Sequence, residues 1–206
     1  YPGSDSYDYF KVYPNFRFSY TLSDSSKLAL YITNRVDRPG EAELRIFPKY
    51  DDPELLKVGN PYLRPQFTRN VELAWEQLWD TGSLIFSVYQ RYITDPFIRV
   101  FDIDYSNPEY NIVNRIYQNV GSASNEGFEI IAAQDLTDYW SFSGSINWFE
   151  NEVDRYETTL LFPAPRPFFV NQSSADTWNL NLNNQINLPY EIRMQLSFTY
   201  YAERNF

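Results

Sequence analysis

The residue types that could carry out chemistry are few in this chain of 206 residues, which contains no cysteine and no histidine. A disulfide framework is therefore excluded, and a zinc site would have to consist of carboxylates alone, which zinc disfavours. Nucleophile–base pairs of the Cys–His or Ser–His type are excluded as well. The sequence thus predicts neither an enzyme active site nor a bound cofactor.

Acidic residues offer two further kinds of chemistry. Asp51 and Asp52 are adjacent, and Asp102 and Asp104 lie close together along the chain. Several carboxylate oxygens could hold a calcium ion, but the spacing is not that of an EF-hand loop. Paired carboxylates could also hydrolyse a glycosidic bond, yet nothing in the sequence fixes their separation. Solvated loop charge is the preferred interpretation, and no metal site is predicted.

A third group of residues could bind a ligand without reacting with it. Aromatic side chains in the predicted loops could stack on a sugar ring or a catechol, or they could pack the loops against each other. Arginines could line a path for an anionic substrate, or they could pair with Glu72, Glu76 and Glu129 of the same wall. The predicted ligand-binding residues are Phe47, Tyr50, Tyr62, Arg64, Tyr105, Tyr110, Phe168, Arg35 and Arg91.

Extended strands must position these side chains. In residues 178–201, Leu180 and Leu182 alternate with Asn181 and Asn183, and the alternation resumes after a turn at Pro189. Because successive side chains of a strand point to opposite faces, this is a hairpin with one apolar and one hydrated face. The same pattern predicts about eight strands, at 10–22, 27–36, 68–79, 84–104, 110–134, 139–153, 174–188 and 191–203.

The predicted connections alternate between plain and elaborate. Turns near 23, 81, 136 and 189 are short, whereas 37–67 and 154–173 are long and rich in proline, aromatic and charged residues. The arms of 84–134 also exceed the ~9–11 residues that cross a membrane. Transmembrane barrels of the outer-membrane type combine short periplasmic turns with long outer loops. We therefore predict an all-β, antiparallel up-and-down meander that faces the lipid bilayer.

Two other classes of protein share the alternating pattern. A soluble β-sandwich glycan-binding module would use the apolar face as its core, and it would be soluble without detergent. A passive porin or adhesion barrel would have no energy coupling. Nucleic acid is excluded as a partner, since a net charge of -10 leaves no basic stripe to neutralise phosphates.

The predicted sheet is not a complete barrel. Eight strands in an open sheet would leave two rows of unpaired backbone groups, each of which costs several kcal/mol in lipid. With short turns in the periplasm, both ends of the chain lie on the outer side, unlike those of a complete single-chain barrel. The chain also starts at Tyr1. We therefore expect residues 1–206 to be one partial barrel domain, the arc of a larger barrel within a longer protein.

The segment VGNPYLRPQFTRNVELAW, residues 58–75, resembles the C-terminal half of TonB-dependent outer-membrane receptors of the type common in Bacteroidota. SLIFSVYQRYITDPFIRV (83–100), YQNVGSASNEGFEI (117–130) and DLTDYWSFSGSINWFENEV (135–153) follow in the expected order. The resemblance covers nearly the whole chain. It implies a barrel of about 22 strands and import of a scarce substrate such as an iron chelate, a vitamin or a glycan.

The same resemblance implies partners. They are the protein's own N-terminal plug domain, the TonB complex through an N-terminal box, and a surface lipoprotein. Neither the plug nor the box is recognisable within residues 1–206. Gly59, Asn60 and Pro61 form the best-defined motif, and we expect turn geometry there that braces an outer loop near the ligand mouth.

Overall fold

The computed structural model describes residues 8–45, 47, 49–52, 55–104, 112–160 and 164–203. Eight strands form the main sheet: β1 (Phe16–Ser23), β2 (Ser26–Asp37), β5 (Gln66–Trp79), β6 (Gly82–Thr94), β9 (Ser122–Thr137), β10 (Trp140–Val153), β13 (Ser173–Asn187) and β14 (Arg193–Tyr201). The connections contain α1 (Glu41–Leu44), β3 (Lys49–Asp52), β4 (Leu55–Val58), β7 (Phe97–Asp104), β8 (Ile112–Asn119), β11 (Tyr156–Leu160) and β12 (Arg166–Val170).

The main sheet is the predicted meander. Its order is β1-β2-β5-β6-β9-β10-β13-β14, with antiparallel pairing throughout. Each strand therefore pairs with the next main-sheet strand along the chain, and the strands β1 and β14 lie at the two ends. The predicted all-β class and antiparallel up-and-down order are confirmed.

The register aligns apolar residues into a row that crosses all eight strands. It consists of Tyr20, Leu28, Trp75, Phe86, Ile130, Ile146, Leu180 and Tyr200. The adjacent row on the other face contains Ser19, Ala29, Ala74, Ser87, Glu129, Asn147, Asn179 and Tyr201. Period-two alternation in each strand thus becomes one apolar face and one polar face of the whole sheet.

The apolar face is open. Even on the inner strands β5 and β6, Leu73 is 42% exposed, Phe86 38% and Val88 41%, and no second sheet of the described residues covers this face. A soluble sandwich would bury these side chains in its core, so that alternative is wrong for this fold. No helix in the described part of the chain is long and apolar enough to cross a membrane.

Two predicted strands are each interrupted. The predicted strand 84–104 is divided into β6 and β7 at Asp95 and Pro96, and the predicted strand 110–134 into β8 and β9 at Val120 and Gly121. Asp95 has φ 53°, a left-handed conformation, and Pro96 cannot donate to a ladder. The two breaks face each other, because the amide of Asp95 donates to Gly121 O and that of Val120 to Pro96 O.

Beyond these breaks the chain builds a second, four-stranded sheet in the order β3-β4-β8-β7, which we call the outer sheet. Its strands β4 and β8 pair in parallel, and β11 pairs with β12 in a separate hairpin. The segments 37–67 and 154–173 were predicted as loops without strands, so this is a correction. Strands of four or five residues carry too few alternations to be recognised, and the β4–β8 pairing joins distant segments.

The predicted boundaries of the other strands differ by a few residues. The largest difference is at 10–22, where regular structure begins only at Phe16. Asn15 and Pro14 instead bond to Asn34 through the asparagine side chains. The predicted turn at 106–108 lies outside the described residues.

Candidate ligand-binding site in the outer loops

The Gly-Asn-Pro motif is the centre of the outer loops. Asn60 is 6% exposed, and its side-chain Nδ2 donates to Tyr117 O at 3.2 Å and to Gln118 Oε1 at 3.0 Å. Its Oδ1 accepts from the amide of Tyr62 at 3.0 Å. One buried side chain therefore joins the segment before β5 to β8, which agrees with the expectation that this motif braces an outer loop.

Gly59 lets two backbone segments approach each other. Its amide donates to Arg45 O at 3.0 Å, and the amide of Asn60 donates to Glu43 O at 2.7 Å. A Cβ on Gly59 would lie 2.5 Å from both Arg45 N and Arg45 O. Since atoms of that kind cannot approach so closely, only glycine allows the end of α1 to lie against β4.

A second asparagine closes the same assembly from the side of β8. The Oδ1 of Asn119 accepts from the amide of Arg64 at 2.7 Å, while its Nδ2 donates to Arg64 O at 3.0 Å and to Asp95 O at 2.8 Å. Asn119 thus holds the backbone of Arg64 next to the break between β6 and β7. The backbone of this predicted binding residue is fixed in place by these contacts.

One face of the outer sheet carries a small core. Val58, Val100 and Ile116 are 2%, 5% and 3% exposed, and they are Cα partners across β4, β8 and β7. The same face contacts the β11–β12 hairpin, because Gln118 Nε2 donates to Thr158 Oγ1 at 2.7 Å. The outer loops therefore form one packed body with its own apolar interior.

Asp102, on this same face, is 8% exposed and forms an ion pair with Arg166 of β12. The Arg166 guanidinium therefore balances the charge of the Asp102 carboxylate, so the carboxylate needs no metal ion as a partner. Among the described residues, no cluster of three or more acidic side chains could hold a metal ion. The side chains of Asp51, Asp52 and Asp104 are not among those that the structure describes.

Phe168 was predicted to bind ligand, and it packs within the hairpin. Its ring centroid lies 6.5 Å from that of Tyr156, across a tilted contact. Tyr156 is 7% exposed, and burial raises the pKa of its phenol above the ordinary value. For this pair the structure agrees with the alternative role, the packing of loops against each other.

Phe47 and Tyr62 are accessible. Phe47 is 77% exposed and lies at the rim of a cleft on the other face of the outer sheet, and Tyr62 is 37% exposed. Tyr105 and Tyr110 fall outside the described residues, and the side chain of Tyr50, on β3, does as well. The described aromatic candidates therefore lie at separate places in the outer loops.

The two arginines predicted on the polar face of the sheet have different partners from those expected. Arg35 forms an ion pair with Asp37 at 3.1 Å. The guanidinium of Arg91 lies over the ring of Tyr89, with 6.0 Å between its carbon and the ring centroid. No ion pair with the glutamates of this face occurs in the described part of the chain. Neither arginine lines the cleft beside Phe47.

Sequence reasoning missed the cleft beside Phe47. Its lining includes Arg45, Lys57, Arg115 and Tyr117, which come from three separate segments. Arg115 and Tyr117 are two residues apart and share a face of β8. That spacing is a usable signal once a strand is recognised at 112–119, but the arrival of Lys57 depends on the parallel pairing.

Comparisons with known proteins agree with this architecture. The sequence matches the outer membrane protein beta-barrel family over residues 2–206. The structure is similar to the siderophore receptor PirA from Pseudomonas aeruginosa, with a TM-score of 0.55 and 15% identity over 93% of this chain and 42% of that one. It is also similar to the copper transporter OprC, with a TM-score of 0.50 and 14% identity over 88% of this chain and 32% of that one. No curated protein matches the sequence.

These identities are low, so the two structures show a shared fold and nothing finer. The chain spans less than half the length of each of the two solved proteins.

Proposed function

The chain belongs to the outer membrane protein beta-barrel family, and from this premise we propose that it forms part of the barrel wall and the outer loops of a TonB-dependent receptor. The family places it in the bacterial outer membrane. The proposed receptor takes up a scarce substrate, such as an iron chelate, a vitamin or a glycan. The chain itself binds and positions the substrate and performs no bond chemistry.

The observation that carries the proposal is the contrast between the two ends of the main sheet. At one end, short turns such as Asp80–Thr81 join the strands directly. At the other end, the connections fold into a packed body with a buried Asn60 and an apolar interior. A passive pore has no need of such a fixed outer assembly, whereas a receptor needs surfaces that hold a ligand before transport.

The two faces of the main sheet support the same proposal. The apolar row of aromatic, leucine and isoleucine side chains suits contact with lipid. The polar face carries Tyr89, whose hydroxyl donates to Asn147 Oδ1 at 3.0 Å, together with the Arg91 guanidinium over its ring. A hydrated wall of this kind suits contact with an N-terminal plug domain, which is the partner we propose for it.

The proposal is tested with the full-length protein in its native outer membrane. Uptake of labelled candidates from the three substrate classes is measured in cells with and without TonB, and binding is measured on the purified protein in detergent. We expect one class to bind the purified protein tightly and to be taken up by cells only when TonB is present. Equal uptake without TonB would instead identify a passive pore and overturn the proposal.

A further inference from the structure

The outer sheet carries a cationic cleft on the face opposite its apolar core. The cleft has a volume of about 240 Å³, and its lining includes Arg45, Phe47, Lys57, Arg115 and Tyr117. Among the side chains that the structure describes, no carboxylate lines it, although the whole chain has a net charge of -10. A concentrated positive potential in an acidic protein attracts anions.

Arg115 gives the main evidence that this cleft binds an anion. Its side chain is half-buried, and its Nε is fully buried without a hydrogen-bond partner. A buried donor without an acceptor is costly, and the cost is larger for a charged group. The Nε–H of Arg115 is therefore a buried donor for which the described residues supply no acceptor.

Other cationic side chains come from the neighbouring segments. Lys57 is the direct Cα partner of Arg115 across the parallel β4–β8 pairing, so the two residues share a face of the outer sheet. The amide of Gly59 holds the backbone of Arg45 at the same cleft, while the Arg45 guanidinium is paired with Glu41 at 2.8 Å, which balances its charge. An anion beside Arg115 would supply the acceptor that the described residues do not provide.

Tyr117 supplies a neutral donor in the same cleft. Its hydroxyl oxygen accepts from Arg99 Nε at 2.9 Å, which leaves the hydroxyl proton available to another acceptor. The guanidinium of Arg99 also lies over the Tyr117 ring at 5.5 Å. The charge-assisted hydrogen bond from Arg99 polarises the phenol and makes it a better hydrogen-bond donor toward an anion.

The aromatic lining indicates the rest of the ligand. Phe47 is 77% exposed at the rim, and the ring of Tyr117 lies within the cleft. Such surfaces stack on flat rings or on the apolar face of a sugar. The volume is below the ~300–1,000 Å³ of clefts that enclose drug-sized ligands, so it fits a single ring with a small substituent.

We propose that this cleft binds a carboxylate attached to a ring, with the carboxylate on Arg115 and Tyr117 and the ring against Phe47. A guanidinium whose Nε has no acceptor among the described residues suits one planar carboxylate, because the guanidinium fork matches carboxylate geometry. Aromatic acids and uronic acid sugars share this chemistry. The inference rests on the proposed receptor function and specifies part of the substrate, but binding to the cleft can be measured without TonB.

The test uses the full-length receptor, purified in detergent, with benzoate and glucuronate as probes and benzyl alcohol and glucose as their neutral analogues. We expect one of the two acids to bind, and its neutral analogue to bind at least about tenfold more weakly. Which acid binds distinguishes the two sources. Equal affinity of the acid and its neutral analogue, or no binding of either acid, would overturn the proposal.

Variants assign the binding to the cleft. Arg115→Gln should weaken the acid about tenfold or more, whereas Arg155→Gln removes the same charge from an exposed position just before β11 and should leave the affinity unchanged. Phe47→Ala should weaken the ring-bearing acid but leave the binding of acetate unchanged. Equal affinities of the unmodified protein and Arg115→Gln, with both folded by gel mobility, would contradict the assignment. TonB-dependent uptake in cells is scored separately, so a failed cleft and a failed receptor function give different results.

Discussion

Removal of the Asn60 side chain is the most direct test of how the outer loops are held together. Asn60→Ala deletes three hydrogen bonds, to Tyr117 O, to Gln118 Oε1 and from the Tyr62 amide. Each such bond contributes about 0.5–1.5 kcal/mol, and partners left buried without a bond add to the cost. We therefore expect local opening of the outer sheet to become easier by about 2–4 kcal/mol.

Hydrogen exchange followed by mass spectrometry on the folded full-length protein measures this change. Amides of β8 should exchange roughly 30- to 700-fold faster, since 1.4 kcal/mol corresponds to a factor of ten. Amides of β9 and β10 in the main sheet should keep their protection. Asn171→Ala, at an exposed position before β13, serves as the control and should change neither region.

Two outcomes would refute this reasoning. If β8 exchanges at the same rate in Asn60→Ala and in the unmodified protein, Asn60 does not hold the outer sheet in place. If β8 and the main sheet lose protection equally, the outer loops do not open as a separate unit.

Three further predictions concern the two faces of the main sheet, the close backbone approach at Gly59 and the buried phenol of Tyr156. Leu180→Arg, in the apolar row, should reduce the amount of membrane-inserted protein, because a cation in mid-bilayer costs about 2–4 kcal/mol. Asn181→Arg, on the other face, should be tolerated. Equal losses of inserted protein for the two variants in a membrane-extraction assay would refute the face assignment. Gly59→Ala should lower the free energy of local opening of β4 by about 1–3 kcal/mol, as measured by hydrogen exchange. Gly121→Ala, whose added Cβ would lie 3.6 Å from its nearest neighbour, should leave that free energy unchanged. Equal protection of β4 in both variants would refute the close-approach argument. Burial raises the pKa of Tyr156 above its ordinary value near 10, so the stabilisation from hairpin packing is fully present below pH 10 and is lost as the pH rises through the raised pKa. In limited proteolysis at increasing pH, the β11–β12 hairpin of Tyr156→Phe should therefore open at a higher pH than the hairpin of the unmodified protein. Opening at the same pH in both proteins would assign the transition to another group.

The main sheet could be predicted because its information is local. Leu180, Asn181 and Leu182 already show the period of two, and neighbouring strands along the chain are neighbours in the sheet. The break at Pro96 was also visible in principle, since proline removes a ladder donor. The alternation of apolar residues continues past it, which made the two strands read as one.

The outer sheet and the cleft could not be predicted because they depend on distant contacts. Asn60 reaches Tyr117 and Gln118 across more than fifty residues of sequence. Strands of four residues, such as β4, show no clear period. The aromatic candidates were chosen by residue type and predicted loop position. These two criteria cannot distinguish Phe47, which lines a cleft, from Phe168, which packs on Tyr156.

The parallel pairing of β4 with β8 has an evolutionary consequence. Each strand comes from a different connection of the main sheet, yet both contribute to one ladder and to the lining of one cleft. A gene segment that encoded only one of these connections would separate the two strands of that ladder on recombination. The smallest unit that can be exchanged between related proteins therefore runs from α1 through β8 and carries the intervening strands β5 and β6 with it.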